Sequence, residues 1–119
     1  MQILVYILEG CWFSNQAEKI LKKFSNVKLV KVNYSNKEKY KREMVPWQTF
    51  PCVQIVDSDK KVIVGGLTEL NHILDNESIL KDACNDNSNF KTKLNDLEKT
   101  ININKKVICK FFKALYKQN

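Results

Sequence analysis

The sequence predicts an α/β fold in which a mixed four-stranded sheet is flanked by helices and followed by a C-terminal helical extension. Three observations predict it. Short β-branched apolar stretches alternate with segments of helical periodicity, two of these stretches flank a tight turn, and apolar residues near the C-terminus recur at helical spacing. The chain has 119 residues, 44% hydrophobic and 28% charged, which is typical of one globular domain and excludes wholesale disorder.

The elements follow in order along the first 75 residues. Ile3–Leu8 is a β-branched apolar run that predicts a buried strand, and Gly10 turns the chain after it. Pro46 ends a charged helix, and the polar turn 57–60 joins the last two strands as a hairpin. The expected strands are 3–8, 27–32, 53–56 and 61–64, and the expected helices are 14–24, 36–44 and one beginning at a Thr68 cap. This β-α-β-α-β-β-α order resembles that of the thioredoxin fold.

Residues 76–119 lie beyond this unit and carry most of the net charge. The chain has a formal net charge of +7, and residues 99–119 hold six lysines and no acid. We expect a short helix near Ile79–Ala83 and two further helices, the last with an apolar stripe packed on the domain and lysines facing water. The predicted division is a domain at 1–84 and a basic C-terminal helical extension at 85–119, with a linker at 85–89. We expect no nucleic-acid binding by this tail and no membrane span.

Four cysteines, Cys11, Cys52, Cys84 and Cys109, are widely spaced and form no C-x-x-C or metal-finger pattern. The first residues lack a basic start and read as a strand and not as a secretory signal. The sequence therefore predicts a cytoplasmic protein without a disulfide framework. Cys84 and Cys109 are expected to be packing residues in helices.

Cys11 lies between the first predicted strand and the helix that follows it. A thiol at a helix N-terminus meets unpaired backbone N–H groups and the positive end of the helix dipole, which favour the thiolate. We therefore expect Cys11 to be a reactive nucleophile. Trp12 and Phe13 flank it as either partner-contacting or packing residues, and Ser14 follows.

Two further segments indicate a binding site. In Thr49-Phe50-Pro51 the proline opens a strand, and a cis bond before it would turn the Phe50 backbone toward an extended peptide ligand. Gly65-Gly66-Leu67-Thr68-Glu69 places paired glycines before a helix start, whose N–H groups can bind a carboxylate. All three glycines of the chain fall in this segment and at residue 10.

These segments, C-W-F-S, T-F-P and G-G-L-T-E in order over residues 2–75, resemble the glutaredoxin family. The resemblance implies a glutathione-dependent thiol–disulfide oxidoreductase that removes glutathione from mixed disulfides, with Cys11 as nucleophile and glutathionylated or disulfide-bonded proteins as partners. The residues expected to bind glutathione are Gln48, Thr49, Phe50, Pro51, Gly66, Leu67, Thr68 and Glu69. Among them, the Phe50 backbone would pair with the cysteinyl part, and Thr68 and Glu69 would hold the γ-glutamyl end.

Ser14 replaces the second cysteine of dithiol members, so the resemblance implies a monothiol route. Cys52 is either a resolving thiol or a residue of the strand core. The motif is also similar to the C-G-F-S branch, which implies an alternative function in [2Fe–2S] cluster binding and transfer, with Cys11 as the protein ligand in a cluster-bridged dimer. Trp12 in place of glycine favours thiol exchange by a monomer. A further alternative is a non-catalytic thioredoxin-fold interaction module.

One departure from the family concerns charge. Glutaredoxins usually carry a lysine shortly before the active cysteine, whereas Leu8, Glu9 and Gly10 occupy that stretch here. Losing a charge-assisted contact to glutathione costs about 1–3 kcal/mol. Lysines from elsewhere are candidates to compensate, namely Lys37, Lys41 and Lys60.

Overall fold

The computed structural model describes residues 1–84 and 91–116. The predicted linker at 85–89 falls outside the described residues. The strands are β1 (Gln2–Leu8), β2 (Val27–Val32), β3 (Cys52–Asp57) and β4 (Lys60–Gly65). The helices are α1 (Trp12–Leu21), α2 (Lys37–Glu43), α3 (Leu67–Asp75), α4 (Glu77–Ala83), α5 (Lys91–Ile101) and α6 (Lys105–Leu115), with a short 3-10 helix at Tyr34–Asn36 before α2.

The four strands form one mixed sheet in the order β2-β1-β3-β4. Strand β1 pairs in parallel with β2 and antiparallel with β3, and β3 and β4 form a hairpin closed at Asp57 and Lys60. Ser58 in that hairpin has a φ of 55°, as a tight turn requires. The predicted α/β fold with a thioredoxin-like mixed sheet is confirmed.

Side chains of β1 alternate between two cores, one on each face of the sheet. Ile3, Val5 and Ile7 are buried in the larger core, which also contains residues of α1, α3 and α6. Tyr6 belongs to the smaller core on the opposite face, and its hydroxyl donates a 3.0 Å hydrogen bond to Glu43 at the end of α2. Burial, followed by this hydrogen bond, raises the pKa of Tyr6 to about 12.

Two helices begin at residues other than those expected. Helix α1 starts at Trp12 because Cys11, with φ −91° and ψ 124°, is its extended N-cap. Helix α3 starts at Leu67, so the expectation that Thr68 caps it is wrong: Gly66 is the N-cap. The Glu69 carboxylate reaches back and accepts the Gly66 N–H at 2.7 Å, which is the half of a capping box that does not need a side chain on the N-cap residue.

The C-terminal helix α6 packs into the larger core. Ile108, Phe111 and Leu115 are among its fully buried residues, whereas the lysines on its other side are exposed. Asn26 fastens this helix to the start of the chain, because its Nδ2 donates to the Ala114 carbonyl at 2.9 Å and to the Met1 carbonyl at 3.1 Å.

The expectation that Cys84 and Cys109 are packing residues outside any disulfide is wrong. They form a disulfide that joins the end of α4 to α6, with Cα atoms 5.3 Å apart. That separation suits the bond. The two cysteines are 25 residues apart in sequence, and such spacing does not reveal which helix faces lie side by side.

Within residues 1–84 and 91–116, no helix is both long and apolar enough to cross a membrane. Cytoplasmic localisation stays a prediction.

Reducing the Cys84–Cys109 disulfide is expected to lower the free energy of unfolding by about 2–4 kcal/mol, because the bond restricts a long loop of the unfolded chain. Urea unfolding with and without a phosphine reductant measures the difference. The matched control is the double variant Cys84→Ser/Cys109→Ser, whose unfolding midpoint should not respond to the reductant. An unchanged midpoint in the parent protein would show that the bond contributes nothing to stability.

Candidate active site

The turn between β1 and α1 places Cys11 at the N-terminus of a helix. Gly10 has a φ of +82°, a backbone conformation that residues other than glycine rarely adopt. The Cys11 carbonyl accepts the Asn15 N–H at 2.9 Å, which opens the helix, while the thiol makes no capping hydrogen bond. No acidic residue lies in the first turn of α1. The free N–H groups at this end are therefore available to an anionic sulfur.

Ser14, at the position of a second cysteine in dithiol members, has a structural contact. It is fully buried, and its Oγ accepts a 3.0 Å hydrogen bond from the Leu8 N–H. This bond ties the first turn of α1 to the end of β1. The hydroxyl therefore gives this backbone donor a partner at the end of the strand.

All four cysteines lie in the described residues, and Cys11 differs from the other three. Cys11 is partly exposed, whereas Cys52 is completely buried. Burial raises the pKa of the Cys52 thiol, and Gln54 Nε2 lies 3.5 Å from its sulfur. Since Cys84 and Cys109 are joined to each other, Cys11 is the one free thiol that solvent reaches.

A groove of about 420 Å³ lies between the start of β3 and the start of α3, and we call it the Pro51 groove. Its lining residues are Phe13, Trp47, Thr49, Phe50, Pro51, Gly66, Leu67, Thr68 and Glu69. The structure thus brings together seven of the eight residues expected to bind glutathione, and Phe13 from the Cys11 segment. The exposed Gln48 does not line the groove, and neither do Cys11, Trp12, Ser14 and Cys52. The Phe50–Pro51 bond is cis, as is Val45–Pro46.

The paired glycines of the groove make room for other parts of this chain. A Cβ on Gly65, whose φ is +142°, would lie 2.6 Å from the Glu69 Cγ. A Cβ on Gly66 would lie 3.2 Å from the Trp47 Cζ2 and 3.3 Å from the Pro51 carbonyl oxygen. The Gly66 N–H donates to Glu69 Oε1 at 2.7 Å. One wall of the groove is therefore built by close packing of Trp47 and Glu69 around the two glycines.

Sequence reasoning missed Trp47 as a groove residue. Its ring is half-buried, packs against the smaller core, and keeps its indole Nε1 buried without a hydrogen-bond partner. The signal that could have found it is its place two residues before Thr49 in W-Q-T-F-P.

The Pro51 groove offers neutral hydrogen-bond donors. No lysine, arginine or histidine is among the described residues that line it. Lys41 pairs with Glu38 at 3.7 Å, and the Lys37 ammonium lies 3.7 Å from the centre of the Tyr34 ring. Lys60 lies in the hairpin that joins the far ends of β3 and β4. None of these three lysines replaces the missing cation at the groove.

Two large aromatic rings are exposed beside Cys11. Trp12 is 62% and Phe13 56% exposed, and their rings meet edge to face with centroids 5.2 Å apart. Solvent-exposed aromatic pairs of this kind are typical of contact surfaces.

Among the described residues, no group of three or more histidine, cysteine, aspartate or glutamate side chains could hold a metal ion. Cys11 would be the sole accessible thiolate that one chain supplies to an iron–sulfur cluster. Binding of such a cluster stays a prediction from the sequence, as does a non-catalytic role.

A comparison with protein families matches residues 3–59 to the family described as Glutaredoxin. The matched stretch contains Cys11 and the Thr49–Pro51 segment and ends before Gly65. Neither the curated proteins nor the solved structures gave a match. Residues 3–59, just under half of the chain, thus match the glutaredoxin family, and the sheet order β2-β1-β3-β4 agrees with the thioredoxin-like fold of that family.

Proposed function

We propose that this protein is a monothiol glutaredoxin that removes glutathione from mixed disulfides, with Cys11 as its nucleophile. One observation carries the proposal. Of the four cysteines, Cys11 alone is both free and accessible, and it lies at a helix N-terminus whose first turn holds no carboxylate. The thiolate is the nucleophilic form of cysteine, and the unpaired N–H groups at this helix start are hydrogen-bond donors for a sulfur anion.

The reaction consists of two thiol–disulfide exchanges. The Cys11 thiolate attacks the glutathionyl sulfur of a protein–glutathione disulfide, forms a Cys11–glutathione disulfide and releases the protein thiolate, which takes a proton from water. A glutathione thiolate then attacks the glutathionyl sulfur on Cys11, releases glutathione disulfide and restores the Cys11 thiolate. The two electrons that reduce the mixed disulfide come from glutathione, so no second protein cysteine is needed.

The absence of a resolving thiol supports this monothiol route. Ser14 cannot form a disulfide, and its hydroxyl is bonded to the Leu8 N–H. Cys52 is fully buried with a raised pKa, so it remains protonated and out of reach at neutral pH. Cys11–glutathione is then the intermediate that accumulates until a second glutathione arrives.

The Pro51 groove is where we propose the glutathionyl group binds. The Phe50 backbone would pair with the cysteinyl part, as one extended strand pairs with another. The first N–H groups of α3 would bind a carboxylate of the γ-glutamyl end, with the exposed Thr68 hydroxyl beside them. The second oxygen of Glu69 would accept from the ammonium group, because Oε1 already accepts the Gly66 N–H.

Replacing the nucleophile tests the proposal. Cys11→Ser is expected to reduce turnover of a small glutathione mixed disulfide to the uncatalysed rate, because a hydroxyl is not ionised at neutral pH. Cys52→Ser is the matched control, and it should keep turnover within about twofold of the parent protein. The measurement is glutathione disulfide release coupled to glutathione reductase. Turnover that survives in Cys11→Ser would refute the proposed function.

Glu69→Gln separates the two roles of this side chain. The amide oxygen can still accept the Gly66 N–H, so we expect the free energy of unfolding to change by less than about 0.5 kcal/mol. The KM for the glutathione mixed disulfide should rise about five- to tenfold, because the ammonium group loses a charged partner. Urea unfolding and steady-state kinetics measure the two effects. An unchanged KM would mean that Glu69 only caps α3.

A further inference from the structure

A second groove of about 420 Å³ runs along the exposed face of α1, and we call it the α1 groove. Its lining residues are Trp12, Asn15, Gln16, Glu18, Lys19 and Lys22. They recur at helical spacing, so the groove follows the helix away from Cys11. None of these residues lines the Pro51 groove.

The exposed aromatic pair separates the two grooves. Phe13 lines the Pro51 groove, Trp12 lines the α1 groove, and the two rings touch edge to face. Each groove therefore includes a residue within two positions of Cys11, although Cys11 lines neither of them. A protein–glutathione disulfide has two arms, one on each side of its sulfur–sulfur bond. If the glutathionyl arm occupies the Pro51 groove, the α1 groove is placed to receive the polypeptide arm.

The charge of the α1 groove is positive. Glu18, its one carboxylate, is paired with Lys31 at 3.5 Å. Lys19 and Lys22 are exposed and take part in neither of the ion pairs found among the described residues. Two ammonium groups without a carboxylate partner thus face a bound chain, and they complement acidic side chains.

The length of the helix sets where those acidic residues should be. At a rise of about 1.5 Å per residue, Lys19 lies about 12 Å and Lys22 about 16 Å beyond Cys11 along the axis. An extended peptide advances about 3.3 Å per residue. Acidic side chains about four and five positions from the disulfide would therefore meet the two lysines.

We infer that the α1 groove binds the polypeptide that flanks the substrate cysteine and selects glutathionylated proteins with acidic residues about four to five positions from it. The inference rests on the proposed function and names its substrate class. The Trp12 ring would contact apolar atoms next to the disulfide. The two lysines, farther along α1, would favour substrates with acidic side chains. Small mixed disulfides reach only the first groove and are indifferent to the second.

The test compares kcat/KM for three matched glutathionylated peptides and one small mixed disulfide. The peptides carry aspartate, serine or lysine at the fourth and fifth positions on both sides of the cysteine. The parent protein should prefer the aspartate peptide over the lysine peptide by about tenfold, and raising sodium chloride from about 0.05 to about 0.5 M should remove most of that preference.

Charge reversal assigns the preference to the groove. Lys19→Glu/Lys22→Glu should favour the lysine peptide and leave turnover of the small mixed disulfide unchanged. The control Lys110→Glu/Lys113→Glu makes the same change in net charge on α6 and should keep the preference of the parent protein. Equal kcat/KM for all three peptides in the parent protein, or a preference lost equally in both variants, would overturn the inference. Failure of the parent protein to turn over the small mixed disulfide would instead refute the proposed function.

Discussion

The 3.0 Å hydrogen bond from the Leu8 N–H to the Ser14 Oγ holds the start of α1 against the end of the central strand β1. Between these two residues the chain must reverse within Glu9, Gly10 and Cys11, and the positive φ of Gly10 allows it. The result fixes Cys11 as the N-cap of α1, with its thiol free of any capping bond. The buried hydroxyl of Ser14 therefore has a structural role, and it cannot form a disulfide with Cys11.

The rest of the site depends on packing around two glycines and not on charge. Glu69 closes the start of α3 onto Gly66, and Trp47 lies against the same residue from the other side. Because no cationic side chain is among the described lining residues, the proposed binding of a tripeptide would use backbone N–H groups and hydroxyls for its carboxylates and Glu69 for its ammonium group. Two exposed lysines, Lys19 and Lys22, line the other groove along α1. The linings of the two grooves therefore differ in charge.

Local patterns in the sequence predicted the strands and the strand-to-helix placement of Cys11, because alternation and helical periodicity are properties of neighbouring residues. Residues 49–51 and 66–69 were also predicted to belong to one site, and they line one groove. Trp47 was missed because its position over Gly66 depends on how two distant segments pack. The Cys84–Cys109 disulfide was missed for the same reason, since only the packing of α6 brings these cysteines together. The cap of α3 was misassigned to Thr68 because a reach-back from Glu69 lets a glycine serve as N-cap.

The central claim is that the start of α1 makes Cys11 an unusually reactive thiol. The most direct measurement is its rate of alkylation by iodoacetamide from pH 5 to pH 9, followed by peptide mass spectrometry with free glutathione as the reference thiol. We expect Cys11 in the folded protein to react at neutral pH about tenfold faster than the reference, while the buried Cys52 stays unmodified. A folded Cys11 that reacts no faster than glutathione, or only after unfolding, would contradict the account.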